Sequence, residues 1–341
     1  MDEIIDQNRF KIVRKLAEGG MGSVYEGILF GSNGFEKTVA IKTILEDYSS
    51  DSEFIDLFIG EAKLVADLVH GNIVQIYQLG KYQNNYYIAM EYVNGPNLEQ
   101  YINRHLELGL PIPVDLSVYI IQRIARALEY AHNRHDREGN RLGVVHRDVS
   151  PKNVMINSEG FVKLTDFGIA KARNLMKNME GEVLMGKAQY MSPEQARFQE
   201  TDLRSDVFSA GTLLWELLSN GDVLFEGEDT ADSLANVTDM PIPSIQEYNE
   251  EVTEQMSNIL KRALDRDIDK RYQTAGMLAY DLEYYLYNEG FGPDFVSLER
   301  YVKELMPDLD SFDSGINTQV YTGDVRDKHG SIVTKLPLKD H

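Results

Sequence analysis

Val144-Val145-His146-Arg147-Asp148-Val149-Ser150-Pro151-Lys152-Asn153 is the stretch that decides the fold. Thr165-Asp166-Phe167-Gly168 follows it, with Asp166 placed 18 residues beyond Asp148 (166 − 148). Each segment lies beside a short apolar run that reads as a strand. The pair supplies two carboxylates and an amide at the spacing that phosphoryl transfer requires. Asp148 can orient an attacking hydroxyl, while Asn153 and Asp166 can hold Mg²⁺ on a nucleotide. A His-Arg-Asp triplet alone is often only a salt-bridged turn. Asn153 and the second acidic loop lift it above that.

At 341 residues the chain can bury a sizeable core, enough for one large or two medium domains. Its 34 basic and 55 acidic side chains give 34 − 55 = −21, a balance that argues against nucleic acid or an anionic membrane as the main partner. There is no cysteine, so disulfides, thiolate metal sites and thiol switches are excluded. The acidic start, Met1 to Asp6, lacks the basic and apolar regions of a signal peptide. No apolar run approaches the roughly 20 residues that span a bilayer. A cytoplasmic location without membrane insertion is expected.

Residues 10–93 read mainly as strands, in the alternating runs Phe10 to Leu16, Thr38 to Thr43, Val74 to Leu79 and Tyr86 to Tyr92. One helix interrupts them, from about Ser52 to Leu68. Residues 97–306 read mostly as helix, with periodic stretches at 114–133, 203–219, 251–264 and 274–288 and a shorter one near 295–306. This order, with the two loops quoted above, resembles the eukaryotic-type protein kinase family and, in its loop wording, the bacterial Ser/Thr protein kinases. The resemblance implies an α+β, two-lobed protein kinase fold. Residues 1–9 form a lead-in and 10–93 a small antiparallel β-rich N-lobe with one helix. Residues 94–306 form a larger, mostly helical C-lobe with a C-terminal helix, connected through Asn94-Gly95-Pro96. From Pro307 apolar periodicity fades, and 307–341 are expected to be a flexible tail.

The nucleotide site follows from the same resemblance. Ala17-Glu18-Gly19-Gly20-Met21-Gly22, between two strand-like runs, resembles the Gly-rich loop whose backbone N–H groups approach phosphates. Ala17 stands where the family has its first glycine. Val39-Ala40-Ile41-Lys42 is a strand ending in a lysine, and Glu61 falls on the apolar stripe of the helix after it. An inward carboxylate needs a partner, and Lys42 is the expected one. In the family this pair sets the lysine on the nucleotide phosphates. Met90, Glu91 and Val93 match the hinge that bonds the adenine edge, with Val24, Ala40 and Met155 against the ring. ATP and Mg²⁺ are the implied cofactors and protein substrates the implied partners.

Other matches are structural. Asp206 is expected to hold the catalytic-loop backbone, and Arg271 to pair with Glu194 of Ser192-Pro193-Glu194. Val65, Ile76, His146 and Phe167 would form an apolar stack. One departure concerns catalysis. Ser/Thr kinases usually carry Lys two residues after the catalytic Asp and Gly-Thr before the Pro-Glu motif; here those places hold Ser150 and Gly186-Lys187. Lys187 is a candidate to replace the missing cation, and Lys152 is its rival.

Between Gly168 and Ser192 there is no Ser or Thr. Arg147, the usual receiver of an activation phosphate, is therefore expected to pair with Glu180 or Glu182, or those glutamates with Lys171 or Arg173. Control would lie in a homodimer, a regulatory protein partner, or tail acceptors such as Thr318, Thr322, Ser331 and Thr334. A nucleotide-binding scaffold without turnover is one rival reading, weakened by intact Lys42, Glu61, Asp148, Asn153 and Asp166. A small-molecule kinase of similar fold is another, weakened by the Pro-Glu segment and Arg271. Tyrosine specificity is disfavoured by Tyr190, with no proline before Met191.

Overall fold

The computed structural model describes residues 9–18, 22–44, 52–82, 85–135, 138–167, 188–307, 325–326 and 332–333. They fall into two compact units, the first drawn from Met1–Ala66, Gln75–Tyr92 and Ser311–His341, the second from Asp67–Val74 and Val93–Asp310.

The first unit is a five-stranded antiparallel sheet. Its strands are β1 (Arg9–Glu18), β2 (Gly22–Phe30), β3 (Glu36–Ile44), β4 (Ile76–Tyr82) and β5 (Asn85–Glu91), in the order β1-β2-β3-β5-β4. Central β3 buries Val39, Ala40 and Ile41 in succession, so it is covered on both faces. Helix α1 (Ser52–Ala66) packs on β4 and buries Phe58, Ala62 and Val65, spaced four and three apart along one stripe. Gly22 has a packing reason of its own: a Cβ there would collide with the Thr43 carbonyl of β3. Among the described residues of the expected tail, Val325–Arg326 pairs with Ile332–Val333 as a short two-stranded sheet.

The second unit is built round one buried helix. Its helices are α2 (Leu98–Leu108), α3 (Val114–His132), α4 (Pro193–Ala196), α5 (Leu203–Leu218), α6 (Thr230–Asp239), α7 (Glu254–Ala263), α8 (Ala275–Tyr287) and α9 (Phe295–Leu305). Every residue of α5 from Ser205 to Leu218 is buried, which is why its sequence is largely apolar right round, and its two buried carboxylates, Asp206 and Glu216, are hydrogen-bonded. Helix α3 packs on α5 and α8. A small hairpin, β6 (Val154–Ile156) with β7 (Val162–Leu164), pairs Val154 with Leu164.

The linker Asn94-Gly95-Pro96 is held on this hairpin. Ser158 N donates to Asn94 O (2.7 Å) and Ile156 N to Pro96 O (2.9 Å). Gly95 takes φ 154°, and a Cβ on it would strike the Ile156 carbonyl, so only glycine fits.

One buried ion pair closes the lower part of the second unit. Arg271, 1 % exposed, donates from NH1 to Glu194 Oε1 (2.8 Å) and from NH2 to Oε2 (3.2 Å). Ser205 Oγ adds a bond to Oε1 (2.7 Å), and Arg271 also donates to the carbonyls of Asp265 and Arg204. Burial pushes the Glu194 carboxyl up, but Arg271 and Ser205 outweigh it and leave the group below its ordinary range. Arg271→Met would strand that carboxylate and should cost about 3–5 kcal/mol. The double variant Arg271→Met/Glu194→Gln should recover part of the loss. Urea unfolding of the three proteins checks this, and a single variant as stable as wild type would contradict it.

Candidate active site

In an antiparallel sheet, residues directly opposite one another share a face, as do residues two apart on one strand. The register sets Ala17 opposite Val24, Val24 opposite Lys42, and Ala40 opposite Met90. Ala17, Val24, Ala40, Lys42 and Met90 therefore lie on one face of the sheet in the first unit. Glu18 pairs with Ser23 on the other face, and its carboxylate is held by Lys15. Glu91 N–H donates to Gln75 O (2.8 Å). Gly19, Gly20 and Met21 lie outside the described residues, as does the Glu61 side chain; the backbone of Glu61 lies in α1.

Sequence reasoning passed over a second feature of that face. Arg14 Nε donates to Glu26 Oε2 (2.7 Å) and its NH2 to Tyr92 Oη (3.2 Å). Glu26 lies opposite Ala40 and is buried. Nothing in the sequence singles this pair out, since β1 also carries Arg9, Lys11, Lys15 and Glu18.

In the second unit the loop from Val144 to Asn153 is organised by Asp206, in the first turn of α5. Its Oδ2 accepts from His146 N (2.8 Å) and its Oδ1 from Arg147 N (2.7 Å). Oδ2 also bonds His132 Nε2 of α3 (2.8 Å). Asp206 is fully buried. Burial pushes its carboxyl up, and His132 with the loop N–H groups overcomes that and holds it low. Arg147 is left-handed (φ 62°), and its Nε is buried with no hydrogen-bond partner among the described residues.

Asp148, Asn153 and Asp166 are brought together on this frame. Asn153 Nδ2 donates to both Asp148 Oδ2 and Asp148 O (2.8 Å each). That orients the amide so that Oδ1, the atom a cation needs, points away from Asp148. Thr165 N donates to Asn153 O (2.9 Å), which ties the second acidic loop to the first. Asp166 follows in a left-handed conformation (φ 55°). Asp148 N donates to His146 Nδ1 (3.2 Å), so Nδ1 is the acceptor and His146 Nε2 donates to Thr165 O (2.9 Å). Phe167 is buried against the His146 ring at 4.5 Å.

Met155 lies half-buried on β6, and Val93 is half-buried before the linker. Val65 and Ile76, expected in one stack with His146 and Phe167, belong to the first unit. Ser150 is buried and its Oγ has no partner among the described residues. Lys152 is exposed and pairs with Glu99 of α2 at 3.4 Å. Lys187 lies outside the described residues, as do Gly168, Lys171, Arg173, Glu180, Glu182, Gly186 and the tail hydroxyls Thr318, Thr322, Ser331 and Thr334. No group of three or more His, Asp or Glu among the described residues forms a cation cage, and no described helix is long and apolar enough to cross a membrane.

Residues 10–282 match the protein kinase domain, and the chain belongs to that family. It is 38% identical over 299 residues to the tyrosine-protein kinase MasK of Myxococcus xanthus, covering 86% of this chain and 45% of MasK. It is 35% identical to the serine/threonine-protein kinase PrkC of Bacillus subtilis, covering 81% of this chain and 40% of PrkC. The chain thus spans less than half the length of these curated relatives. The kinase domain of Mycobacterium tuberculosis PknI superposes with a TM-score of 0.60 at 25% identity, covering 80% of this chain and 95% of that domain.

Tyr190 is buried and donates from its hydroxyl to Glu216 Oε2 of α5 (2.9 Å), so it is a frame residue rather than an exposed acceptor. Burial pushes the Glu216 carboxyl up to about 7. Between the ordinary carboxyl range and about 7 the folded chain holds a proton that the unfolded chain has released, so stability falls as pH rises through that window. Glu216→Gln should flatten that slope, measured by urea unfolding at about pH 5 and about pH 7. An unchanged slope would remove Glu216 as its source.

Proposed function

We propose that the chain is a protein serine/threonine kinase that transfers the γ-phosphoryl group of ATP, with Mg²⁺, to hydroxyls of protein substrates. The observation that carries the reading is the Asn153–Asp148 contact at 2.8 Å within a loop held through its backbone by Asp206. ATP availability makes the cytoplasm its proposed setting.

The donor set fits the cation. Asn153 Oδ1 and the Asp166 carboxylate are hard oxygen ligands, and Mg²⁺ typically takes one or two protein groups and completes its shell with phosphates and water. Bound there, Mg²⁺ would neutralise phosphate charge. Asp148 accepts the hydrogen bond of the incoming hydroxyl and aims it, and Asn153 fixes the rotamer that does so. Lys42, with Glu61 as its partner, binds nucleotide phosphates, and backbone N–H groups of residues 17–22 approach them. Val24, Ala40 and Met155 contact the adenine ring. Glu91 contributes its carbonyl, its N–H being held by Gln75, and Val93 its backbone. Most of the acceleration comes from positioning and charge neutralisation.

Lys187 is proposed to supply the cation absent from position 150. Two observations support it over Lys152: Ser150 Oγ is buried without a partner among the described residues, and Lys152 is drawn to Glu99 at the surface. With no Ser or Thr between Gly168 and Ser192, control by a partner protein or a second copy of the chain belongs to the same proposal. A tyrosine acceptor is the second reading, favoured by the name of the relative from Myxococcus xanthus. Phosphoamino-acid analysis of the product separates the two.

Asp166→Asn and Lys42→Met should each lower transfer from radiolabelled ATP by about 100-fold or more while the fold persists by circular dichroism. Near wild-type turnover in Asp166→Asn would refute the kinase reading. Lys187→Ala should cut turnover far more than Lys152→Ala, and Ser150→Lys/Lys187→Thr should restore part of it. Equal, minor losses in the two alanine variants would exclude both lysines.

A further inference from the structure

We propose that Gln195 is a positioning residue for the catalytic loop, its side-chain amide fixing the peptide that joins Arg147 to Asp148. The inference rests on the kinase reading above.

Arg147 adopts a left-handed backbone (φ 62°), which a non-glycine residue keeps only where its surroundings over-determine it. Its two backbone polar groups are held from different helices. The N–H goes to Asp206 Oδ1 of α5 (2.7 Å), and the carbonyl accepts from Gln195 Nε2 of α4 (2.9 Å). The N–H on the far side of that same peptide, Asp148 N, goes to His146 Nδ1 (3.2 Å). The peptide plane from which the Asp148 side chain departs is thus held at both its oxygen and its nitrogen. Gln195 supplies the first of these.

The alternative is that Gln195 serves only its own helix. Ser192 and Gln195 form a reciprocal cap: Gln195 N donates to Ser192 Oγ (3.3 Å), and Ser192 N to Gln195 Oε1 (2.9 Å). A glutamate would satisfy that cap equally well, since only an acceptor oxygen is needed. The donor nitrogen is unexplained by the cap and is consumed by Arg147 O. Both partners are backbone groups of opposite polarity, so the amide has one orientation. Gln195 is 3 % exposed, and water cannot readily replace a lost bond there.

Gln195→Glu keeps the cap and loses the donor. The test measures kcat, KM for ATP and thermal stability for wild type, Gln195→Glu, Gln195→Met and Ser192→Ala across pH. Gln195→Glu should lose about 10- to 100-fold in kcat with KM unchanged. Its kcat relative to wild type should climb as pH falls, because a protonated carboxyl regains an O–H for Arg147 O. Gln195→Met, uncharged and near-isosteric, should show the loss without the recovery, and it carries the test if the glutamate variant fails to fold. Ser192→Ala should lose stability and keep kcat. Wild-type kcat in either Gln195 variant overturns the proposal. So does a Ser192→Ala loss in kcat equal to theirs with no pH recovery in Gln195→Glu. An inactive wild type would instead refute the kinase reading itself.

Discussion

A fully buried carboxylate is costly unless its lone pairs are filled, and Asp206 is the group on which the site depends. It accepts two consecutive loop N–H groups and His132 Nε2. Its place in the first turn of α5 adds the favourable end of the helix dipole. The bargain is mutual: the loop N–H groups would be buried donors without it, and it would be a buried charge without them. The left-handed turn at Arg147 exists because both sides of that exchange must be met at once.

Order passes outward from that turn by short bonds. His146, fixed in one tautomer, spans from Asp148 N to Thr165 O, so one ring sets the spacing between the two acidic loops. The β6–β7 hairpin repeats the connection through Thr165 N and Asn153 O. The three proposed reactive groups therefore sit on a frame whose every link is backbone or buried. In the first unit the corresponding economy is geometric: one sheet register gathers five residues from four strands onto one face.

Much of this was legible in the sequence, for different reasons in different places. The periodic stretches gave α3, α5, α7, α8 and α9 to within a few residues, since their buried faces are apolar and Asp202, Thr253, Thr274 and Asp294 mark starts by side-chain caps. Helix α2 escaped because its fourth inward residue is His105, made tolerable by Tyr101 O and by Tyr301 Oη from α9. Helix α6 escaped because it buries only Ser233 and Val237, too little for a stripe. The roles of Asp206 and Arg271 came from family resemblance, and their geometry agrees with it. Gln195 carried a readable cap pattern, but its bond to Arg147 joins residues 48 positions apart. No local pattern can announce such a contact.

The Glu194–Arg271 pair has a consequence for how the molecule comes into being. Asp148 and Asn153 precede Gln195 and Asp206, which fix the backbone of their loop, and Arg271, which closes on Glu194, comes later still. A nascent chain emerging from the ribosome thus displays every reactive group of the loop before any of its distant anchors has been made. Contacts of such sequence separation form late and slowly. The loop's shape therefore waits on contacts that only the closed helical unit supplies.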